Sequence, residues 1–314
     1  MKHAIIAALG VALVSGPAIA QTYSIGTNPQ GSSAYPTGAA VARVARDKLD
    51  LRARVVPQGG PVVTLPLVSQ GKLDSSIAVS VVAAFAYQGR AMFKGRAQKN
   101  IRVVAVLRTL RLGVFTQQDS KIKTMADLKG ARVSSGFGKQ RIQQLFWRAM
   151  LAMPGLTYKD VRSVPAPNGV RGVDDFMSGK VDVAMFSITS GKVRQTFSSV
   201  KSRYVSLPDN PASVKRMQAV APGTIVETID PSPAFAGVTV PTKIMAAPFI
   251  VTAGAHVSDD MVYKLTKAIA ESKGLMVSVF KGMSGFNPKR MHIDIGVPYH
   301  PGAMKYYRET GQVK

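Results

Sequence analysis

Apolar and polar positions follow two rhythms along this chain, one with a period of two and one with the spacing of a helix. Thr22-Tyr23-Ser24-Ile25-Gly26 reads as a short strand, followed by a loop rich in Gly, Ser and Pro. From Tyr35 onward, Ala39, Val41, Ala42, Val44, Ala45 and Leu49 recur on one helical face. Arg54-Val55-Val56-Pro57 predicts a second strand, closed by Gln58-Gly59-Gly60. A helix is expected over Val62 to Ser69, then the turn Gly71-Lys72-Leu73-Asp74 and a buried strand at Ile77-Ala78-Val79 that ends in Ser80. Strands alternating with helices in this way point to an α/β fold with mixed, mostly parallel sheets.

The same order returns about 110 residues later. Ala131-Arg132-Val133-Ser134 leads to Gly136-Phe137-Gly138 and a helical stretch from Arg141 to Ala152. Val161 to Pro165 repeats Val55-Val56-Pro57, and Phe176-Met177-Ser178-Gly179-Lys180-Val181-Asp182 repeats the segment ending at Asp74. Gly26 to Gly136 is 110 residues, while Pro57 to Pro165 and Asp74 to Asp182 are each 108. A recurring offset predicts two lobes of one plan that face each other across a central cleft. Ligands of open α/β sheets sit at the carboxyl ends of strands. The turns Thr27 to Ser33 and Ser134 to Gln140 would each present backbone N–H groups and a helix N-terminus there, a setting that favours negative charge.

The N-terminus changes the meaning of the composition. Lys2 and His3 precede the apolar run Ala4 to Val14, and Ala18-Ile19-Ala20 has the small-x-small pattern of a cleavage site. Residues 1–20 therefore read as a secretory signal peptide, since eleven apolar residues fall short of the roughly twenty that span a bilayer. The formal charge of +24, from 41 Lys and Arg against 17 Asp and Glu, would otherwise suggest nucleic acid. Export argues against such a partner and leaves anionic solutes or membrane surfaces. The absence of Cys excludes a disulfide scaffold, a thiolate metal site and a Cys nucleophile. His256, His292 and His300 lack metal-ligand spacing, and no nucleophile elbow, phosphate-binding loop or carboxylate pair stands out. Neither an enzyme nor a cofactor-binding protein is expected.

Several segments, taken in order, resemble the TAXI family, the solute receptors of one branch of the tripartite ATP-independent periplasmic (TRAP) transporters. They are Ser24-Ile25-Gly26-Thr27 through Gly31-Ser32-Ser33-Ala34-Tyr35-Pro36, Gln58-Gly59-Gly60, the Gly71 to Asp74 turn, Ala86-Tyr87-Gln88-Gly89, Leu107-Arg108 and Pro222-Gly223-Thr224. Asp259 to Lys267 and His300 to Tyr307 extend the likeness to nearly the whole mature chain. The resemblance implies a two-lobed periplasmic-binding-protein fold, type II. Lobe I would take residues 21–115 plus about 241–314, and lobe II residues 116–240. It further implies a periplasmic, non-enzymatic, monomeric receptor. Such a receptor delivers a small anionic solute, a carboxylate or amino acid, to TRAP membrane permease subunits. The chain departs from the family pattern at Val79-Ser80-Val81, at Pro61 and Thr64, and in the short, charged loop from Gly136 to Arg141. Those departures motivate an alternative, a ligand-sensing protein on the same fold that partners a membrane sensor.

The expected ligand contacts follow from both lines. Thr27, Ser32, Ser33 and Tyr35 would hydrogen-bond a carboxylate, although Ser32 or Ser33 could equally cap the first helix. Gly60 belongs to the double-glycine turn that the family shares. Ser80 and, opposite it, Thr189 and Ser190 would line the cleft. In the second lobe Gly136, Lys139 and Arg141 stand at a helix start, where the dipole disfavours cations and an Arg could grip a carboxylate with two parallel hydrogen bonds. Phe137 and Trp147 could stack on an aromatic solute, though a helical Trp usually packs in the core.

Overall fold

Two parallel three-stranded units of one plan carry the structure, a computed structural model that describes residues 22–313. The signal-peptide reading of residues 1–20 lies outside those residues. The first unit runs β1 (Tyr23–Thr27), α1 (Ala34–Leu49), β2 (Ala53–Pro57), α2 (Pro61–Ser69), β3 (Ser75–Val79) and α3 (Ser80–Gln88). After the long strand β4 (Ile101–Gln117), the second runs β5 (Arg132–Gly136), α4 (Ile142–Ala152), β6 (Arg162–Ala166), α5 (Gly169–Met177), β7 (Val183–Ser187) and α6 (Gly191–Ser199). The chain continues through β8 (Ser202–Val205), α7 (Pro211–Val220), β9 (Ile225–Ile229) and a second long strand, β10 (Thr242–Gly254). It closes with α8 (Asp259–Glu271), α9 (Lys273–Val279) and α10 (Pro301–Glu309).

In each unit the first strand is central. β1 lies parallel between β2 and β3, and β5 lies parallel between β6 and β7. Strands β1, β3 and β7 are buried at every position, as expected where helices cover both faces. The edge strands β2 and β6 keep exposed positions. The short strands and their helices thus fall close to the bounds that periodicity predicts. Ser80 differs: β3 ends at Val79, and Ser80 opens α3 instead of closing the strand.

The long strands join the units. β10 pairs antiparallel with β3 through Phe249 to Ala253, and β4 pairs antiparallel with β7 through Leu112 to Thr116. Between those stretches, Arg108 to Leu112 and Met245 to Phe249 pair chiefly with each other, and two register shifts interrupt the ladder near Phe249 and Val251. This crossover floors the central cleft. One large cluster, containing Ile25, Val44, Ile77, Val104, Trp147 and Ile250, fills the main core. A smaller one around Phe115, Phe176 and Phe186 lies under the second unit. Each fully buried side chain of this kind contributes about 1.5–3 kcal/mol relative to exposure. Among the described residues no helix is long and apolar enough to cross a membrane.

Candidate functional site

The carboxyl ends of β1, β3 and β7 converge with the β4–β10 crossover on a small, tightly closed cavity. The first unit supplies Asn28, Ser32, Ser33, Ala34, Pro61 and Val79, and the second supplies Ile142, Gln143, Phe146, Phe186 and Ser187. Leu110, Leu112 and Phe249 from the long strands form its floor. The wall is therefore largely apolar, with a few polar groups at defined points, as in small-molecule sites generally.

Two of those polar groups lack partners. Asn28 Oδ1 and Gln143 Oε1 are buried and make no hydrogen bond among the described residues. Gln143 is 5% exposed, and it reaches the cavity from the first turn of α4 while Asn28 comes from the β1–α1 loop. Such orphaned groups are costly unless something hydrogen-bonds to them.

The cavity lies closed. A Cβ added to Gly59 would overlap the backbone carbonyl of Lys139, so the β2–α2 turn meets the β5–α4 loop directly. Lys192 N–H also donates to Gly31 O at 3.4 Å, joining the start of α6 to the β1–α1 loop.

Behind the first turn of α1 sits Arg108, 4% exposed. Its guanidinium donates to Thr37 Oγ1 at 3.1 Å, Ser33 O at 3.3 Å and Thr109 O at 3.2 Å. It lies 4.5 Å from the ring centroid of Phe249 and 5.4 Å from that of Phe280. No carboxylate pairs with it among the described residues. Burial, and secondarily the charge of Arg111, pulls its pKa down to about 9, which leaves it cationic at neutral pH. Arg111 is neutralised by Glu227 through two bonds of 3.0 and 2.7 Å.

The residues expected from the sequence divide between the cavity and its surroundings. Ser32 and Ser33 line it. Ser33 is the N-cap residue of α1 but makes no capping bond, whereas Ser32 Oγ donates to Pro29 O at 2.6 Å and accepts from Tyr35 N–H at 3.4 Å. Thr27 is fully buried and does not line the cavity, and its hydroxyl donates to Asn28 O. Gly60, at φ +78°, abuts Asn28 Oδ1, and any side chain there would displace it. The hydroxyl of Tyr35 faces Gln30 at 3.4 Å, outside the cavity. Lys139 sits on the rim groove with Gln58 and Gly59; Gly136 and Arg141 are exposed and do not line the cavity.

Ser80 and the Thr189–Ser190 pair do not meet. Ser80 lines a groove with Pro222, Pro248 and Asp294, and Thr189 lines another with Arg111, Arg194 and Phe280. Ser190 caps α6, accepting from Val193 N–H. Phe137 and Trp147, at 1% exposure, belong to the core and not to the cavity wall. Phe137 holds φ +44° directly after Gly136 at φ +75°, a left-handed pair that tucks its ring inward and turns the short loop into α4.

Sequence reasoning passed over Asn28, Gln143 and the role of Arg108. Arg108 had a usable signal: it is a cation inside the apolar run Val103 to Phe115.

Comparison with solved structures gives the fold. The chain is similar to the alkanesulfonate-binding protein SsuA from Xanthomonas axonopodis pv. citri bound to MOPS. That match has 14% identity and a TM-score of 0.52, covering 91% of this chain and 83% of that one. It is similar to MatC from Rhodopseudomonas palustris with bound malate at 13% identity and a TM-score of 0.59, covering 86% and 90%. It is also similar to an amino acid ABC transporter substrate-binding protein from Streptococcus pneumoniae bound to L-arginine. There the identity is 13% and the TM-score 0.51, over 83% and 95%. With its two units, crossover strands and central cleft, the chain has the two-lobed type II periplasmic-binding-protein fold. The model of the NMT1-like family matches residues 25–311, and the chain belongs to that family.

Proposed function

We propose that this protein is an extracytoplasmic, periplasmic solute-binding receptor of the TAXI kind, serving a TRAP-type transporter. In this reading it captures one small organic anion by closing its lobes and carries it to the membrane permease subunits. The lobes would comprise residues 21–115 with about 241–314, and residues 116–240. The observation that carries the reading is a cavity whose polar and apolar lining comes from both units and whose rim is in contact across the cleft. A solute touching both lobes only when they are closed stabilises the closed form, and that population shift is what a permease can sense. Ser32 and Ser33 at the start of α1 would meet its anionic end. Lys139 and Arg141 at the rim would draw anions toward the mouth by their field.

The test is a thermal-shift panel of amino acids, organic acids and sulfonates on the purified protein. Saturable stabilisation by at least one small anion is the expected result. A panel without any shift, in protein verified to be folded and solute-free, would overturn the receptor reading.

A further inference from the structure

A buried guanidinium, Arg108, stands behind the cavity's wall, and the cavity itself is lined largely by hydrocarbon; together they define a narrower class of solute than "small anion". Arg108 lies against two of the cavity's lining residues, bonding the carbonyl of Ser33 and covering the ring of Phe249. A buried guanidinium without a carboxylate is unfavourable unless an anion comes to it. The start of α1, which it underlies, lines the same space through Ser33 and Ala34, and the positive end of the helix dipole favours negative charge there.

Among the described residues no lysine or arginine lines the cavity itself. Arg111 is neutralised by Glu227, and Lys139 and Arg141 are exposed at or beyond the rim. Much of the cavity is walled by Val79, Leu112, Ile142, Phe146 and Phe186. A second carboxylate there would be desolvated against hydrocarbon without a donor or counter-charge. What does remain unsatisfied is the pair Asn28 Oδ1 and Gln143 Oε1, one acceptor from each lobe. A hydroxyl or ammonium group on the solute would satisfy them and tie the lobes together.

We propose that the solute is a compact monocarboxylate with an apolar body and a hydrogen-bond donor near its carboxylate. Its anionic end would lie at the α1 N-terminus before Arg108, and its donor between Asn28 and Gln143. This deepens the receptor reading and rests on it.

Three matched probes test the proposal by titration calorimetry on the full chain: 2-hydroxy-4-methylpentanoate, 4-methylpentanoate and 2-hydroxyglutarate. The first is expected to bind tightest. Loss of the donor should weaken binding roughly tenfold, and replacing the apolar end by a carboxylate about a hundredfold, because buried polar groups left unpaired discriminate more strongly than missing hydrocarbon. Equal or tighter binding of 2-hydroxyglutarate would overturn the proposal while leaving the receptor reading intact. Heat from none of the three, with a thermal shift from some other anion, would likewise overturn the class alone. Absence of any binder would overturn both.

Two variants assign the charge. Arg108→Gln should abolish discrimination in favour of the carboxylate over its neutral amide. Should that variant fail to fold, Gln143→Lys adds a cation to the cavity from an ordinary helical position. It is expected to raise the preference for 2-hydroxyglutarate over 2-hydroxy-4-methylpentanoate at least roughly tenfold, the worth of one charged hydrogen bond. An unchanged ratio in a folded Gln143→Lys protein would contradict a solute seated against a wall that lacks a cation.

Discussion

Asp182 holds Arg132 at the head of β5: its Oδ2 accepts the Arg132 backbone N–H at 2.7 Å, and its Oδ1 accepts Nε and an Nη at 3.0 and 2.6 Å. Fifty residues likewise separate Ser24 from Asp74, where Oδ2 accepts the backbone N–H at 2.8 Å and the hydroxyl at 2.7 Å. The two clasps are related by the 108-residue offset of the sequence. Each pins the start of a central strand to the turn before the third strand, so the repeated turn motif has the same mechanical job in both units. Partial burial disfavours the Asp182 carboxylate, but the side-chain and backbone bonds from Arg132 outweigh it and hold its pKa below the usual carboxylate range.

Replacing either clasp should destabilise its own unit. Asp74→Ala and Asp182→Ala are each expected to cost about 1–3 kcal/mol, as for hydrogen bonds to a charged group, with partial exposure favouring the lower end. The double variant should show nearly additive losses, because the sites share no partner. Chemical denaturation of the four proteins measures this.

Gly59 should report on closure. Alanine there would strike the Lys139 carbonyl only when the cleft is shut. Gly59→Ala is expected to weaken solute binding by about 10- to 100-fold, equivalent to some 1.4–2.8 kcal/mol, and to leave the melting temperature of the solute-free protein nearly unchanged. Parallel calorimetry and thermal melts separate the two effects.

The rim cations should act on rate. Lys139 and Arg141 are exposed and lack an ion-pair partner among the described residues, so removing them should lower the association rate and its salt dependence. Stopped-flow binding with Lys139→Ala/Arg141→Ala is expected to show an unchanged dissociation rate. A faster dissociation would instead make them direct contacts.

His300 should steepen acid denaturation. It caps α10 with Nδ1 accepting from Gly302 N–H while Nε2 faces Val257 O at 3.0 Å, an arrangement suited to the neutral ring. Burial lowers its pKa, against the opposing charge of Asp259. Below about pH 6.5 the unfolded chain takes up a proton that the folded chain resists, so stability falls as pH drops through that value. His300→Asn retains a capping side chain and removes the titration. Its stability should vary less between pH 5 and 6.5, as read from denaturation midpoints.

The paired clasps also show what was legible in the sequence. Strand and helix positions in both units follow from the pattern because each helix buries one continuous face, while β1, β3 and β7 are short runs buried throughout. The 108-residue offset exposes the repeat because Asp74 and Asp182 perform one local task. The cavity was less legible. Asn28 and Gln143 are ordinary residues in a loop and a helix, and only the docking of two units 115 positions apart makes them neighbours of one space. Arg108 lies within an apolar run, but its meaning depends on which carboxylates the fold keeps away. Ser80 and Thr189 were expected to face one another from equivalent strand ends, yet α3 begins at Ser80 whereas Ser190 caps the start of α6. That one-turn difference sends the two side chains to separate grooves.

Small-angle scattering of the solute-free protein, with and without a saturating concentration of its tightest-binding monocarboxylate, tests most directly whether the lobes close on a solute. A smaller radius of gyration is expected on binding, with a bound-state curve that matches the closed structure, in which Gly59 lies against Lys139. Superposable curves in the two conditions would contradict lobe closure on a solute.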